Sequence, residues 1–252
     1  MKKDIVRQIL TAVLVLATLA VNGLADAIPL NGLNTGAISD RFHVLFVPAG
    51  YVFAIWGVIY LGLIAFGIYQ ALPSQRENPL QRKIAPWFAL SCLANIAWLF
   101  LWHFLQFPLT LLAMLVLLGA LIAVYLPLGV GQRPASRAET WLVRVPFSIY
   151  LGWISVATAA NVTELLDYWK WSGFGLPAEA WLVVVLAAVL VIATLMSLRH
   201  RDAAYALVIV WALAGVSVKN STSSLAWIAS LVTAALVAIG LLYSLLRRRM
   251  VK

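Results

Sequence analysis

Three sets of residues have the types and the spacing to hold a ligand. Phe53, Trp56 and Tyr60 stand at i, i+3 and i+7. Asn95, Trp98 and Trp102 repeat that spacing, and Trp153, Ala157 and Asn161 follow i, i+4 and i+8, with Tyr150 close to their line. On a helix each set falls on one face. Tyr51 stands just ahead of the first set. Converging faces of this kind make apolar walls on which a flat ring can stack, with amides to orient its polar groups. The bland alternative is core packing together with interfacial tryptophan, a role that suits Trp141, Trp169, Trp171, Trp181 and Trp227. Spacing alone leaves the two readings open.

Other chemistry has little support. No carboxylate pair, Ser/His/Asp set, phosphate loop or metal-ligand spacing stands out, so no catalytic and no metal-binding residue is assigned and an enzyme is not expected. All nine acidic residues fall at span ends or in loops, which counts against ion-coupled transport. His103, inside a span, reads as interfacial or hydrogen-bonded rather than as a haem ligand. The single cysteine, Cys92, reads as a small core residue. Asn22, Ser155 and Thr158 lie within apolar runs and are expected to bond between helices.

The elements that must carry these residues are membrane spans. Of 252 residues 63% are hydrophobic and 11% charged, against about 25% charge in ordinary soluble domains. The mean hydropathy is +0.96. Eight apolar stretches can be drawn, at about 5–25, 49–72, 84–106, 108–128, 142–164, 179–198, 203–219 and 224–246. Most reach the ~20 residues that cross a bilayer. The seventh is the shortest. Pro108 can start a helix but not continue one, so the third and fourth spans should form a tight hairpin. The fold class is therefore all-α, a polytopic membrane helix bundle.

The net charge of +9 does not indicate nucleic acid, because the basic residues sit in short loops. Arg41, Lys170 and Lys219 lie at one set of span ends and the other fifteen of the 18 lysines and arginines at the opposite set. The positive-inside rule then puts both termini in the cytoplasm. Residues 1–27 have the basic, apolar and small-residue regions of a signal peptide, with Ala25-Asp26-Ala27 fitting the cleavage pattern. A retained first span is the preferred reading.

The same residues carry a family resemblance. "PAGYVFAIWGVIY", with Pro48, Gly50, Val52, Phe53, Trp56 and Tyr60, resembles the second-helix signature of the TspO/translocator protein family, the tryptophan-rich sensory proteins. Asn95 and Trp98 of "LANIAWLFLWHF" are similar to its third helix. Val145, Pro146, Trp153, Ser155, Ala157, Thr158 and Asn161 are similar to its fifth. Where the family carries a second proline, a tryptophan and an internal proline, this chain has Ala49, Tyr51 and Ile55.

The resemblance implies a five-helix unit over residues 1–170, followed by a C-terminal extension of three further helices over 171–252. It implies a non-enzymatic sensory or binding protein of the bacterial inner membrane. Its ligand would be hydrophobic and planar, a porphyrin or other tetrapyrrole, held between the helices under the loop at about 26–48. The site residues are then Tyr51, Phe53, Trp56, Asn95, Trp98, Trp102, Trp153, Ala157 and Asn161. No cofactor is required, although porphyrin or haem would be a bound ligand. The bilayer is the expected partner, with homodimerisation a family habit. A transporter of a neutral or amphipathic small molecule is the alternative, and an enzyme modifying tetrapyrroles a weaker third. "LDYWK" (166–170) fits the loose cholesterol-motif pattern and equally an interfacial anchor.

Overall fold

The computed structural model describes residues 2–28 and 30–250, with the side chains of 26 and 248–250 left out. Ten α-helices follow one another in the described residues, and no strand is present among them. They are α1 (Lys2–Ala27), the short α2 (Thr35–Ser39), α3 (Ile55–Ala71), α4 (Pro79–His103), α5 (Phe107–Leu128), the one-turn α6 (Arg137–Glu139), α7 (Val145–Tyr168), α8 (Ala178–His200), α9 (Ala203–Lys219) and α10 (Ser224–Met250). A 3₁₀ turn, Gly50–Ala54, leads into α3, and a π turn, Thr140–Arg144, leads into α7.

Local chemistry sets the boundaries. Asn78 caps α4 by accepting from the Leu80 N–H, with Pro79 in the first turn, where its missing N–H costs nothing. Gly129 ends α5 at φ 56°, the left-handed conformation glycine takes freely. Asp202 caps α9. The expected α4–α5 hairpin is present, with only residues 104–106 between the helices.

Seven of the described helical segments are long and apolar enough to cross a membrane, and the molecule is a polytopic helical membrane bundle. Helix α9 is apolar but has 17 residues, about 26 Å at 1.5 Å per residue. Leu16, Leu61, Leu112, Val191, Leu207 and Ile239 are each more than half exposed. So broad an apolar exterior suits a hydrocarbon solvent.

Helices α1, α3, α4, α5 and α7 form one group, in which α4 packs on α5 and α1, and α7 packs on α5 and α3. Helix α9 lies on α7, and α10 packs on both α8 and α9. One buried cluster runs through all eight long helices, from Val15, Ile59, Phe88 and Leu117 to Phe147, Leu186, Ile209 and Val237. Neighbouring segments pack tightly against glycine in α9. A Cβ on Gly215 of α9 would meet Val52 Cγ2 at 2.1 Å.

Polar side chains staple the ends. Arg82 pairs with both Asp4 oxygens at 2.7 and 3.0 Å. Gln8 donates to the Gln70 and Leu72 carbonyls, and Gln70 donates back to the Gln8 carbonyl. At the same end, Asp202 Oδ2 accepts from Tyr125 at 2.8 Å and from Ser148 at 2.6 Å, which ties α5, α7 and α9 together.

Candidate functional site

The turn into α3 brings Phe53 and Trp56 against α7. Phe53 meets Trp153 edge-on at 5.6 Å between ring centroids, and Trp56 meets the same ring at 6.3 Å. Trp56 also stacks on Tyr60 at 5.6 Å. On α4, one turn apart, Trp98 and Trp102 stack at 5.5 Å. These faces converge on a cavity of about 50 Å³. Phe53, Trp56, Trp98, Trp102, Trp153, Ala157 and Asn161 line it, so seven of the nine expected residues come together.

The other two are placed elsewhere. Asn95 is buried but outside the cavity wall, where its Oδ1 accepts from Asn22 Nδ2 at 2.8 Å and joins α4 to α1. Tyr51 is 49% exposed and meets Trp211 of α9 edge-on at 5.4 Å.

Hydrogen-bonding capacity inside the cavity is unfilled. Trp98 Nε1, Trp153 Nε1 and Asn161 Oδ1 are buried without a partner. Asn161 Nδ2 makes a long contact with Thr110, at 3.5 Å, and the Asn161 side chain also hydrogen-bonds Glu164. Two indole donors and an amide acceptor left open on one apolar surface are costly unless something bonds them.

Glu164 also lines the cavity and is 5% exposed. The expectation of a bundle free of ionisable groups is corrected here: one turn from the end of α7, this carboxylate turns inward instead of reaching solvent. Ser39 donates to its Oε1 at 2.7 Å. The sequence carries a signal for its position, because Ala157, Asn161 and Glu164 continue the Trp153 stripe at i+4, i+8 and i+11. The other newcomers, Thr35, Ser39, Val47 and Met114 among them, have no such local signal.

Thr35 and Ser39 belong to α2, which lies over the cavity as a lid. Asn34 caps it by accepting from the Ala37 N–H. Trp102 Nε1 donates to the Thr35 carbonyl at 3.2 Å. His103, fully buried, places Nε2 3.2 Å from Thr35 Oγ1 and Nδ1 3.3 Å from the Leu30 carbonyl. Its hydrogen-bonded role is thus a lid pin. Farther along, Asp167 Oδ2 accepts from the His43 N–H. Ile38, Trp102, Phe107 and Leu165 form a small apolar core beneath α2. Among the described residues no group of three His, Cys, Asp or Glu side chains could hold a metal ion.

A family model, TSPO-like protein, matches residues 8–244. The chain belongs to the TSPO-like protein family. The match runs through α8, α9 and most of α10 as well as the five preceding long helices, three of which carry the motifs of the resemblance. No curated protein and no solved structure matches the chain. Membership and seven long apolar helices together describe an integral membrane protein of the TspO kind.

Two of the departures from the family signature, Ala49 and Tyr51, make contacts with α9. The Ala49 N–H donates to the Gly215 carbonyl at 3.1 Å. Proline has no N–H to give. Trp211 Nε1 donates to the Val52 carbonyl at 3.2 Å, and the Tyr51 ring rests on the same tryptophan.

Proposed function

We propose that the protein is a sensory or binding protein for a hydrophobic planar ligand, a porphyrin or other tetrapyrrole, taken up between α3, α4 and α7. The observation that carries this is the open hydrogen-bonding capacity of Trp98, Trp153 and Asn161 on an aromatic wall. A ligand with an apolar ring face and acceptor groups at its edge suits two indole donors, and a donor on the ring suits Asn161 Oδ1 or Glu164. The reading is non-enzymatic: these groups bind and orient, and the Ser39–Glu164 pair beside them holds the lid closed.

Ligand pockets for drug-sized molecules run to roughly 300–1,000 Å³, far above the 50 Å³ of the cavity. The geometry is therefore a closed form. Uptake requires the lid over residues 30–48 to lift, breaking the Ser39–Glu164 and Thr35–Trp102 bonds. Both termini are cytoplasmic in this reading, the lid lies on the opposite side, and the membrane is the bacterial inner membrane. The five-helix unit at 1–170 holds the ligand, the 171–252 extension buttresses it, and two copies pair.

Titration with protoporphyrin IX, followed by tryptophan quenching, tests the site. Saturable binding weakened about tenfold or more, ~1.4 kcal/mol, by Trp98→Ala and by Asn161→Ala is expected. Saturable binding indifferent to both substitutions would remove the site, and no saturable binding would remove the tetrapyrrole. Glu164 favours a second reading, transport of a neutral or amphipathic molecule, since buried ionisable groups in membrane bundles often mark a substrate path. Ligand flux in proteoliposomes separates carrier from receptor.

A further inference from the structure

A second cavity, of about 500 Å³, lies on the far side of α7. Its walls are Ala159 and Val162 of α7, Val185 and Val189 of α8 and Ile209 of α9. Val156 lines both cavities, so α7 is the partition between them. Helix α8 packs on α9 and α10 rather than on α7, which leaves the space unfilled. Val184 and Ile192 line it and are 52% and 50% exposed, so it opens sideways through its apolar rim. In a bilayer that opening faces hydrocarbon.

The shape is a slot. Its α7 wall runs from Ser155 to Asp167, thirteen residues, or about 18 Å end to end. That is close to one leaflet of a hydrocarbon core roughly 30 Å thick. An extended hydrocarbon chain suits a space of that length with apolar walls and a lateral opening.

The two ends differ. Trp171 and Trp181 stand at one end with ring centroids 4.7 Å apart, and Trp181 Nε1 donates to the Gly173 carbonyl at 2.9 Å. Tryptophans of this kind mark the headgroup level. Asp167, His43 and Ser172 line that same end. Asp167 is the sole carboxylate lining the slot among the described residues, and no lysine or arginine lines it. A negative head group would be repelled there, whereas an ammonium-bearing one would find a partner. At the other end Tyr205 Oη donates to Ser155 Oγ at 3.0 Å, which closes that polar pair on itself.

We propose that this slot holds one aliphatic chain of a membrane phospholipid whose head group is zwitterionic and carries an ammonium. The chain lies along α7 and the ammonium faces Asp167. This site is separate from the aromatic cavity and does not depend on what that cavity binds.

The test uses the full chain in nanodiscs of equal parts phosphatidylethanolamine and phosphatidylglycerol with matched chains. Lipid retained after transfer to detergent is identified by native mass spectrometry. One phospholipid per chain is expected, with phosphatidylethanolamine favoured about threefold or more over phosphatidylglycerol. Ala159→Trp and Ala188→Trp each fill the slot from a different helix and should lower retention about tenfold, with circular dichroism reporting the fold. Asp167→Asn keeps an acceptor for the His43 N–H and should abolish the head-group preference. Retention unchanged in a folded slot-filling variant would overturn the site. Preference for phosphatidylglycerol, or a preference that survives Asp167→Asn, would overturn the head-group assignment.

Discussion

The N–H of Ala49 and the missing side chain of Gly215 decide how the chain enters α3. The hydrogen bond between them is one that Ala49→Pro removes. Gly215→Ala drives a methyl into Val52 at 2.1 Å. Overpacking of that kind typically costs about 1–3 kcal/mol. Both variants should lower the unfolding temperature in detergent, the second more. Ser39 and Glu164 make a second residue-scale test. Ser39→Ala leaves a buried carboxylate without the donor at 2.7 Å, a loss of about 1–3 kcal/mol that falls on the lid. Faster proteolysis within residues 30–48 is the expected outcome, whereas Glu164→Gln, which still accepts from Ser39, should leave the lid closed.

At the scale of elements, the helices are joined by few polar pins in an apolar solvent. Apolar side chains gain little by leaving lipid for a neighbouring helix, so close packing and buried hydrogen bonds carry the association. Asp202 is a pin with three partners: it caps α9 through the Tyr205 N–H and accepts from Tyr125 and Ser148. Asp202→Ala removes a helix cap worth about 1 kcal/mol and strands two hydroxyls at about 1–3 kcal/mol each. Thermal unfolding should shift down by more than it does for Asp202→Asn, which keeps one acceptor. Helix α9 is also the element whose length says least about its role. At 17 residues it is short for a span, yet Ala206, Ile209, Ala212, Leu213 and Val216 are all buried. Its place in the bundle comes from these contacts with α7 and with the turn before α3.

At the scale of the whole molecule, the core is continuous from Val15 of α1 to Val237 of α10. A chain truncated after residue 170 would bare the α7 face that α9 covers and the Val52 that Gly215 receives. Size-exclusion chromatography in detergent is expected to give aggregate or a broad peak for the truncated chain and a single sharp peak for the full one. A sharp peak with native helicity from the truncated chain would mean that the five helices fold alone.

The sequence by itself determined the helical membrane bundle, the approximate spans and the aromatic faces. Those follow from periodicity and from apolar length, which any stretch of chain carries within itself. Phe53, Trp56, Trp98 and Trp153 are legible for that reason, whereas Glu164, at i+11 on the same stripe, reads from the sequence as a span-end carboxylate. The tertiary structure alone decided that Asn95 would bond to Asn22 across 73 positions and that Tyr51 would rest on Trp211. It alone also placed Ser39 over Glu164 and left the two cavities so unequal. These are long-range matters: which faces meet depends on how eight helices pack, and a residue's own neighbours in sequence do not encode its partner on another helix.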